Sequence, residues 1–286
     1  MSDAFVVNSL RYRYPKAKGD MLKGITFSVE EGEIFGFLGP SGAGKSTTQK
    51  VLIKLLEGYS GEIKYFGRDL KTLDKSYYEE VGVGFEMPIH FSKMTALENL
   101  NYFSGFYKNK IDFRELMERV GLWEHRDVQV GNYSKGMKVR LNFVRAMLNR
   151  PRVLFLDEPT AGIDPKNARI LKDIIGEYRA KGGTVFLTTH LMNDVDELCD
   201  HVVFGVEGKL TDVSTPRDLE IKYGKREVKV EYKENGATAS ALFPLAGIGE
   251  NEEFHTFLRS KEIETIHSGE TSMEDIFIKV TGAQLK

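Results

Sequence analysis

Nine residues, Gly39-Pro40-Ser41-Gly42-Ala43-Gly44-Lys45-Ser46-Thr47, constrain this chain more than any other stretch. A short apolar run precedes them (Ile34, Phe35, Phe37, Leu38), and a helical pattern follows (Val51, Leu52, Leu55, Leu56). Strand, glycine loop and helix in that order let backbone N–H groups and a helix N-terminus wrap a phosphate chain. In that arrangement Lys45 neutralises the β- and γ-phosphates, and the Ser46 hydroxyl holds Mg²⁺. A nucleoside triphosphate is the expected ligand, with Gly39, Ser41, Gly42, Ala43, Gly44, Lys45, Ser46 and Thr47 around its phosphates.

Composition narrows the setting. At 286 residues, 41% of them hydrophobic, the chain suffices for one large domain or two smaller ones. A net charge of −2 gives no global basic field, so nucleic acid is not an expected partner. Cys199, the single cysteine, cannot form an internal disulfide, which fits a reducing compartment. The N-terminal stretch lacks a basic segment followed by an apolar core, and no apolar run reaches bilayer length. Any membrane spans are therefore expected on another chain.

Along the chain, Phe5-Val6-Val7 and Leu22 through Val29 read as strands, with Tyr14 between them. An aromatic upstream of a phosphate loop either stacks on a base or packs locally. Glu62 to Tyr65 reads as a short strand, and Val81 to Phe85 as another, ending at Glu86, Met87 and Pro88. Residues 95–122 look helical, with capping signatures at Thr95-x-x-Glu98 and Asp112-x-x-Glu115. Tyr133-Ser134-Lys135-Gly136 precedes a helix whose Met137, Leu141, Val144 and Leu148 share a face. Ser134 there is either an ordinary N-cap or a second phosphate contact.

Val153 to Leu156 is all apolar and ends in Asp157 and Glu158. Such strands suit a parallel sheet covered on both faces, with ligands at the strands' carboxyl ends. Asp157 is placed to hold Mg²⁺ through water, and Glu158 to orient or deprotonate an attacking water. Asp164-Pro165 opens a further helix. Thr184 to Thr189 reads as another buried strand, with His190 at its end as either a structural histidine or a γ-phosphate contact. Beyond about Tyr223, alternating Val228, Val230 and Tyr232, an Asn235-Gly236 turn and a capped run from Ser272 indicate a small α+β appendage.

Residues 1 to about 220 resemble the ATP-binding subunit of an ABC transporter. Gly39 to Thr47 looks like Walker A, Val153 to Glu158 like Walker B, Ala161-Gly162-Ile163-Asp164 like the D-loop, and His190 like the switch histidine. Tyr14 falls where the adenine-stacking aromatic lies. Two positions depart from the pattern. The signature, usually Leu-Ser-Gly-Gly-Gln, is here Tyr133-Ser134-Lys135-Gly136-Met137, where Lys135 either strengthens a phosphate contact or faces solvent. Glu86 stands where the family's Q-loop carries glutamine, and is expected to act as a Mg²⁺-dependent sensor.

The resemblance implies an α/β P-loop NTPase fold with a mixed sheet core over residues 1–223. It adds a helical subdomain at about 86–150 and the appendage at 224–286. It implies ATP and Mg²⁺ as ligands, with Glu158, His190 and Lys45 catalytic and Ser46, Glu86 and Asp157 at the metal. Two copies would pair head to tail, each ATP lying between one phosphate loop and the partner's Ser134, Lys135 and Gly136. The signature variant resembles ATPases of ABC-2 type exporters, which implies a separate membrane permease and a place on the cytoplasmic face of the membrane. The alternative is a soluble ABC ATPase without a permease, such as an iron–sulfur assembly scaffold ATPase.

Overall fold

In the computed structural model, which describes residues 2–87, 89–223, 227–234, 236–269 and 272–282, the all-apolar runs become the centre of a parallel sheet. The chain begins β1 (Asp3–Tyr12), β2 (Leu22–Glu30), β3 (Ile34–Leu38), α1 (Lys45–Leu52), β4 (Ser60–Tyr65) and β5 (Arg68–Asp69). Then come α2 (Tyr77–Glu80), β6 (Val81–Gly84), α3 (Ala96–Ser104), α4 (Arg114–Arg119) and α5 (Lys135–Ala146). After these run β7 (Val153–Asp157), α6 (Pro165–Ala180), β8 (Thr184–Thr188), α7 (Met192–Leu198), β9 (His201–Val206) and β10 (Lys209–Leu210). The remainder is α8 (Pro216–Tyr223), β11 (Glu227–Glu234), β12 (Ala237–Pro244), α9 (Glu252–Ser260), β13 (Glu262–Gly269) and α10 (Met273–Thr281).

Backbone packing divides the chain into Met1–Thr215 and Pro216–Lys286. The division falls before α8, where the sequence suggests 223/224, because α8 packs on α10 of the second unit. In the first unit, β10-β9-β3-β8-β7-β6 form one sheet, parallel except for the edge strand β10, and β2-β1-β4-β5 form an antiparallel sheet. Every residue of β3 and β8 is buried, as a strand covered on both faces requires. The core joins rings from both sheets. Phe186 of β8 lies 5.5 to 6.3 Å from Phe155, Phe35, Phe37 and Phe27.

Several local expectations need correction. Strand β1 continues through Leu10 to Tyr12, pairing with β2 across register shifts. Helix α1 stops at Leu52, before Leu55 and Leu56, because Lys54 takes a left-handed φ of 57° and Leu55 is left exposed. The stretch 95–122 is two helices. Thr95 and Glu98 form the reciprocal capping box of α3, whereas the carboxylate of Asp112 accepts from Arg114 N in a local turn and α4 begins without a side-chain cap. Pro88, read as closing the strand before it, lies outside the described residues.

The second unit is a three-stranded antiparallel sheet, ordered β12-β11-β13. Val228, Val230 and Phe243 form its small core, with Phe254 and Phe257 of α9 packed against it. The hairpin closes between Glu234 and Ala237, where Gly236 takes φ 81°, while Asn235 lies outside the described residues. Ser272 caps α10 by accepting from Asp275 N.

Replacing Phe186 by Ala removes the ring shared by four aromatic neighbours. It should cost the first unit about 3–5 kcal/mol in denaturant unfolding. A loss below about 1 kcal/mol, the low end for core truncation, would mean the ring cluster is not central to this core.

Candidate nucleotide site

Parallel register brings the site together. Phe37 pairs with Thr188, and Thr188 with Asp157, so β3, β8 and β7 end level at one edge of the sheet. The chemistry-bearing residues follow those ends at once: Gly39 after β3, Glu158 after β7, Thr189 and His190 after β8.

The loop after β3 turns through positive φ at Gly39, Gly42 and Gly44. A Cβ on Gly39 would sit 2.4 Å from the Gly205 carbonyl, so no larger residue fits there. Gly44 starts α1, whose first turn holds no acidic side chain, leaving its N–H groups and positive end for an anion. The Lys45 ammonium donates to the carbonyls of Gly39 at 2.5 Å and Pro40 at 3.2 Å. Burial lowers its pKa, while the nearby carboxylates of Glu158, Asp157 and Glu86 act to raise it. Ser41 and Gly42 are exposed on the loop and Ser46 in the first turn of α1, and Ala43 is buried beneath the loop. Tyr14 hydrogen-bonds Thr47 Oγ1 at 3.1 Å and meets Tyr12 edge to face, which fixes its ring beside the loop.

At the end of β7 the Thr188 hydroxyl bonds Asp157. Glu158 takes φ 51°, an uncommon conformation for a residue with a long side chain. Its carboxylate is 8% exposed, lies 2.7 Å from His190 Nδ1, and accepts from the Thr189 hydroxyl at 3.1 Å. Burial raises the Glu158 pKa, and the His190 and Thr189 contacts partly oppose that. A buried carboxylate, a half-exposed imidazole and a half-buried ammonium thus stand around the loop.

Glu86 follows β6 in an exposed turn held at both ends by α5. Asn142 donates to the Phe85 carbonyl at 2.9 Å, and Arg145 to the Ile89 carbonyl at 2.5 Å. Ser46, Glu86 and Asp157 line one groove of about 760 Å³, whose other walls include Tyr78, Met87, Ile89, Phe103 and Tyr107. Ser134 caps α5, accepting from Met137 N at 3.2 Å. The structure sets Lys135 and Gly136 against the D-loop of the same chain: a Cβ on Gly162 would lie 2.9 Å from Lys135 Nζ, and one on Gly136 would lie 3.3 Å from Ile163 Cγ2.

A family model described as ABC transporter matches residues 22–161, and one described as Fluoroquinolone efflux ABC transporter C-terminal domain matches residues 226–270. A fluoroquinolones export ATP-binding protein of Mycobacterium tuberculosis is 47% identical over 281 residues, spanning 98% of this chain and 93% of that protein. The chain belongs to the ABC transporter ATP-binding family. This ABC ATPase is also 31% identical to a Nod factor export ATP-binding protein of Burkholderia pseudomallei, over 93% of each chain. A solved ATP binding subunit of an ABC transporter superposes with a TM-score of 0.70 at 28% identity, covering 77% of this chain and 93% of that one. Subunits of this family hydrolyse ATP and act with a membrane permease, and this chain is such a subunit. Among the described residues, no helix is long and apolar enough to cross a membrane.

Sequence reading passed over Thr188, Thr189 and Asn142. Two threonines closing an apolar strand directly before His190 are a signal that hydroxyls face a neighbouring strand end. Asn142 shows itself as a polar residue on the buried face of the ATPase's α5.

A base works ionised, and burial raises the Glu158 pKa above its ordinary 4.5. Turnover should therefore fall on acidification within a window lying above 4.5. The stability sign is opposite. Ionising a carboxyl whose folded pKa is raised costs stability as pH rises through that value, so Glu158→Gln should melt higher than the wild type at neutral pH and lose that advantage in acid. Melting curves of both proteins across pH check this; equal melting temperatures throughout would refute it.

Proposed function

We propose that this chain powers an ABC-2 type exporter as a head-to-tail homodimer on the cytoplasmic face of the membrane. The observation that carries the reading is the buried Glu158 paired with His190 at the strand edge that also holds Lys45. In this reading the loop N–H groups and Lys45 bind the ATP phosphates, and Tyr14 stacks on adenine. Glu158 orients and deprotonates the attacking water, while His190 holds both Glu158 and the γ-phosphate. Ser134, Lys135 and Gly136 of the second copy close over the same phosphate. Hydrolysis removes the charge that bridges the two copies, and the dimer reopens.

The oxygen donors at the loop fit Mg²⁺. Ser46, Asp157 and Glu86 line one groove, and among the described residues no cluster of three His, Cys, Asp or Glu side chains forms a complete metal cage. Such a partial set suits an ion that shares its coordination with nucleotide phosphates and water. There Mg²⁺ would neutralise charge on the β- and γ-phosphates. Glu86, an oxygen donor where the family has an amide, is the residue we assign to sensing it.

The groove beside Glu86 is also our choice for permease docking. Met87 and Ile89 are more than three-quarters exposed on its lip, and Phe106 and Leu55 expose further apolar surface. The match of residues 226–270 to a fluoroquinolone efflux C-terminal domain, with the 47% relative, supports fluoroquinolone-like drugs as the cargo class.

Tagged Glu158→Gln with ATP should bind nucleotide, dimerise and hydrolyse slowly, and should co-purify a multi-span protein from detergent-solubilised membranes of the source cells. Recovery of soluble proteins alone, with the ATP-dependent dimer still formed, would favour an ATPase that works without a permease. At the metal, Glu86→Gln should shift the Mg²⁺ concentration needed for half-maximal turnover. An unchanged metal titration and rate would remove Glu86 from the metal site.

A further inference from the structure

Two residues outside the nucleotide site are tied to both halves of its catalytic pair. Thr160 lies two positions after Glu158 and is 4% exposed; Asp194 lies four positions after His190, on α7, and is also 4% exposed. The Thr160 hydroxyl donates to Asp194 Oδ2. The other carboxylate oxygen, Oδ1, lies 3.2 Å from the ammonium of Lys172 on α6, which also contacts Glu197 at 2.8 Å. Lys172 is 13% exposed at its side chain, so this is an ion pair largely removed from water.

The connections close a ring. At one end Glu158 meets His190; at the other Thr160 meets Asp194; the two short chain segments 158–160 and 190–194 join them. A cross-tie runs through the middle, since the Thr189 hydroxyl donates to Glu158 and accepts from Leu191 N at 3.0 Å. Met192 and Val195 bury the apolar face of α7, and the far staple adds the polar tie that fixes where its first turn, and so His190, sits against the Glu158 segment. A buried charge satisfied by both a hydroxyl and an ammonium is costly to displace, which makes it a stiff anchor.

We propose that Asp194, held by Thr160 and Lys172, is a positioning residue that sets the His190–Glu158 contact and so the rate of the hydrolytic step. This rests on the reading of Glu158 as the residue that activates water. Thr160 matters for its hydroxyl, Asp194 for its carboxylate, and neither touches nucleotide. Because small misplacements of catalytic groups slow chemistry steeply, the loss should appear in kcat and leave ATP binding alone.

The test uses the full chain, with steady-state ATP hydrolysis, ATP binding by fluorescence titration, and melting curves. Thr160→Val, which keeps shape and loses the hydroxyl, should lower kcat on the order of tenfold with KM and ATP affinity within about twofold. Thr160→Ser should restore most of the rate. Asp194→Asn, which keeps an acceptor for Thr160 but removes the charge held by Lys172, should lower kcat without a change in KM. Combined with Thr160→Val it should add little, because both act through one staple. Equal rates for the Ser and Val variants would overturn the proposal, as would a rate loss matched by loss of ATP affinity. If Thr160→Val does not fold, the Ser and Asn variants decide alone: Asn at wild-type kcat overturns it. Glu158→Gln run alongside separates the two readings, since full hydrolysis by that variant defeats the assignment of Glu158 and leaves the staple without a role.

Discussion

The parallel register of β3, β8 and β7 is the constraint on which the rest of the first unit depends. Side chains on neighbouring parallel strands stay level, so β3, which ends at Leu38, finishes at the same edge as β7 and β8, which end more than a hundred residues later at Asp157 and Thr188. Loops leaving that edge start on the same side of the sheet, so residues at or just beyond the strand ends share the site. Asp157 closes β7, Glu158 and His190 follow β7 and β8, and Lys45 opens α1 at the far end of the glycine loop that leaves β3. Behind them the Phe186 ring cluster fills the space between the two sheets, so a shift of one strand would disturb aromatic packing as well as backbone hydrogen bonds.

Local chemistry explains what was legible in the sequence. A glycine loop between an apolar strand and a helix specifies its own conformation, because Gly39, Gly42 and Gly44 adopt φ values that side chains resist. Helix starts at Thr95, Ser134, Asp164 and Ser272 follow from an oxygen three residues before a free N–H, a pattern contained in four residues. Asp112 obeys the same pattern and failed, since its carboxylate found a nearer donor on Arg114. The end of α1 failed for a related reason: hydrophobic spacing continues through Leu56, but the left-handed turn at Lys54 interrupts the helix, a decision made by backbone and not by spacing.

Contacts between distant segments left no such trace. Nothing within a few residues of Thr160 announces Asp194, thirty-four positions away, and nothing near Lys135 announces Gly162. Each becomes visible only when the sheet order has placed its helix. Lys135 is exposed in the single chain, as one of its two expected placements has it, and its ammonium also lies beside Gly162 of the D-loop. What holds position 162 to glycine is its φ of 73°, since the exposed lysine chain can swing aside.

The same reasoning bears on charge at the loop. Glu158, Asp157 and Glu86 all act to raise the pKa of the half-buried Lys45 ammonium, so three carboxylates share its field before a polyanion enters. Coulombic repulsion among them and a triphosphate would oppose binding if nothing offset it. His190 offsets part by its contact with Glu158, and the positive end of α1 offsets part through its unpaired N–H groups. Under the proposed function, a divalent cation supplies the remainder, and a glutamate at position 86 makes that supply more necessary than the family's glutamine would. Binding of nucleotide and metal then becomes a single linked event, in which neither charge is accommodated well without the other.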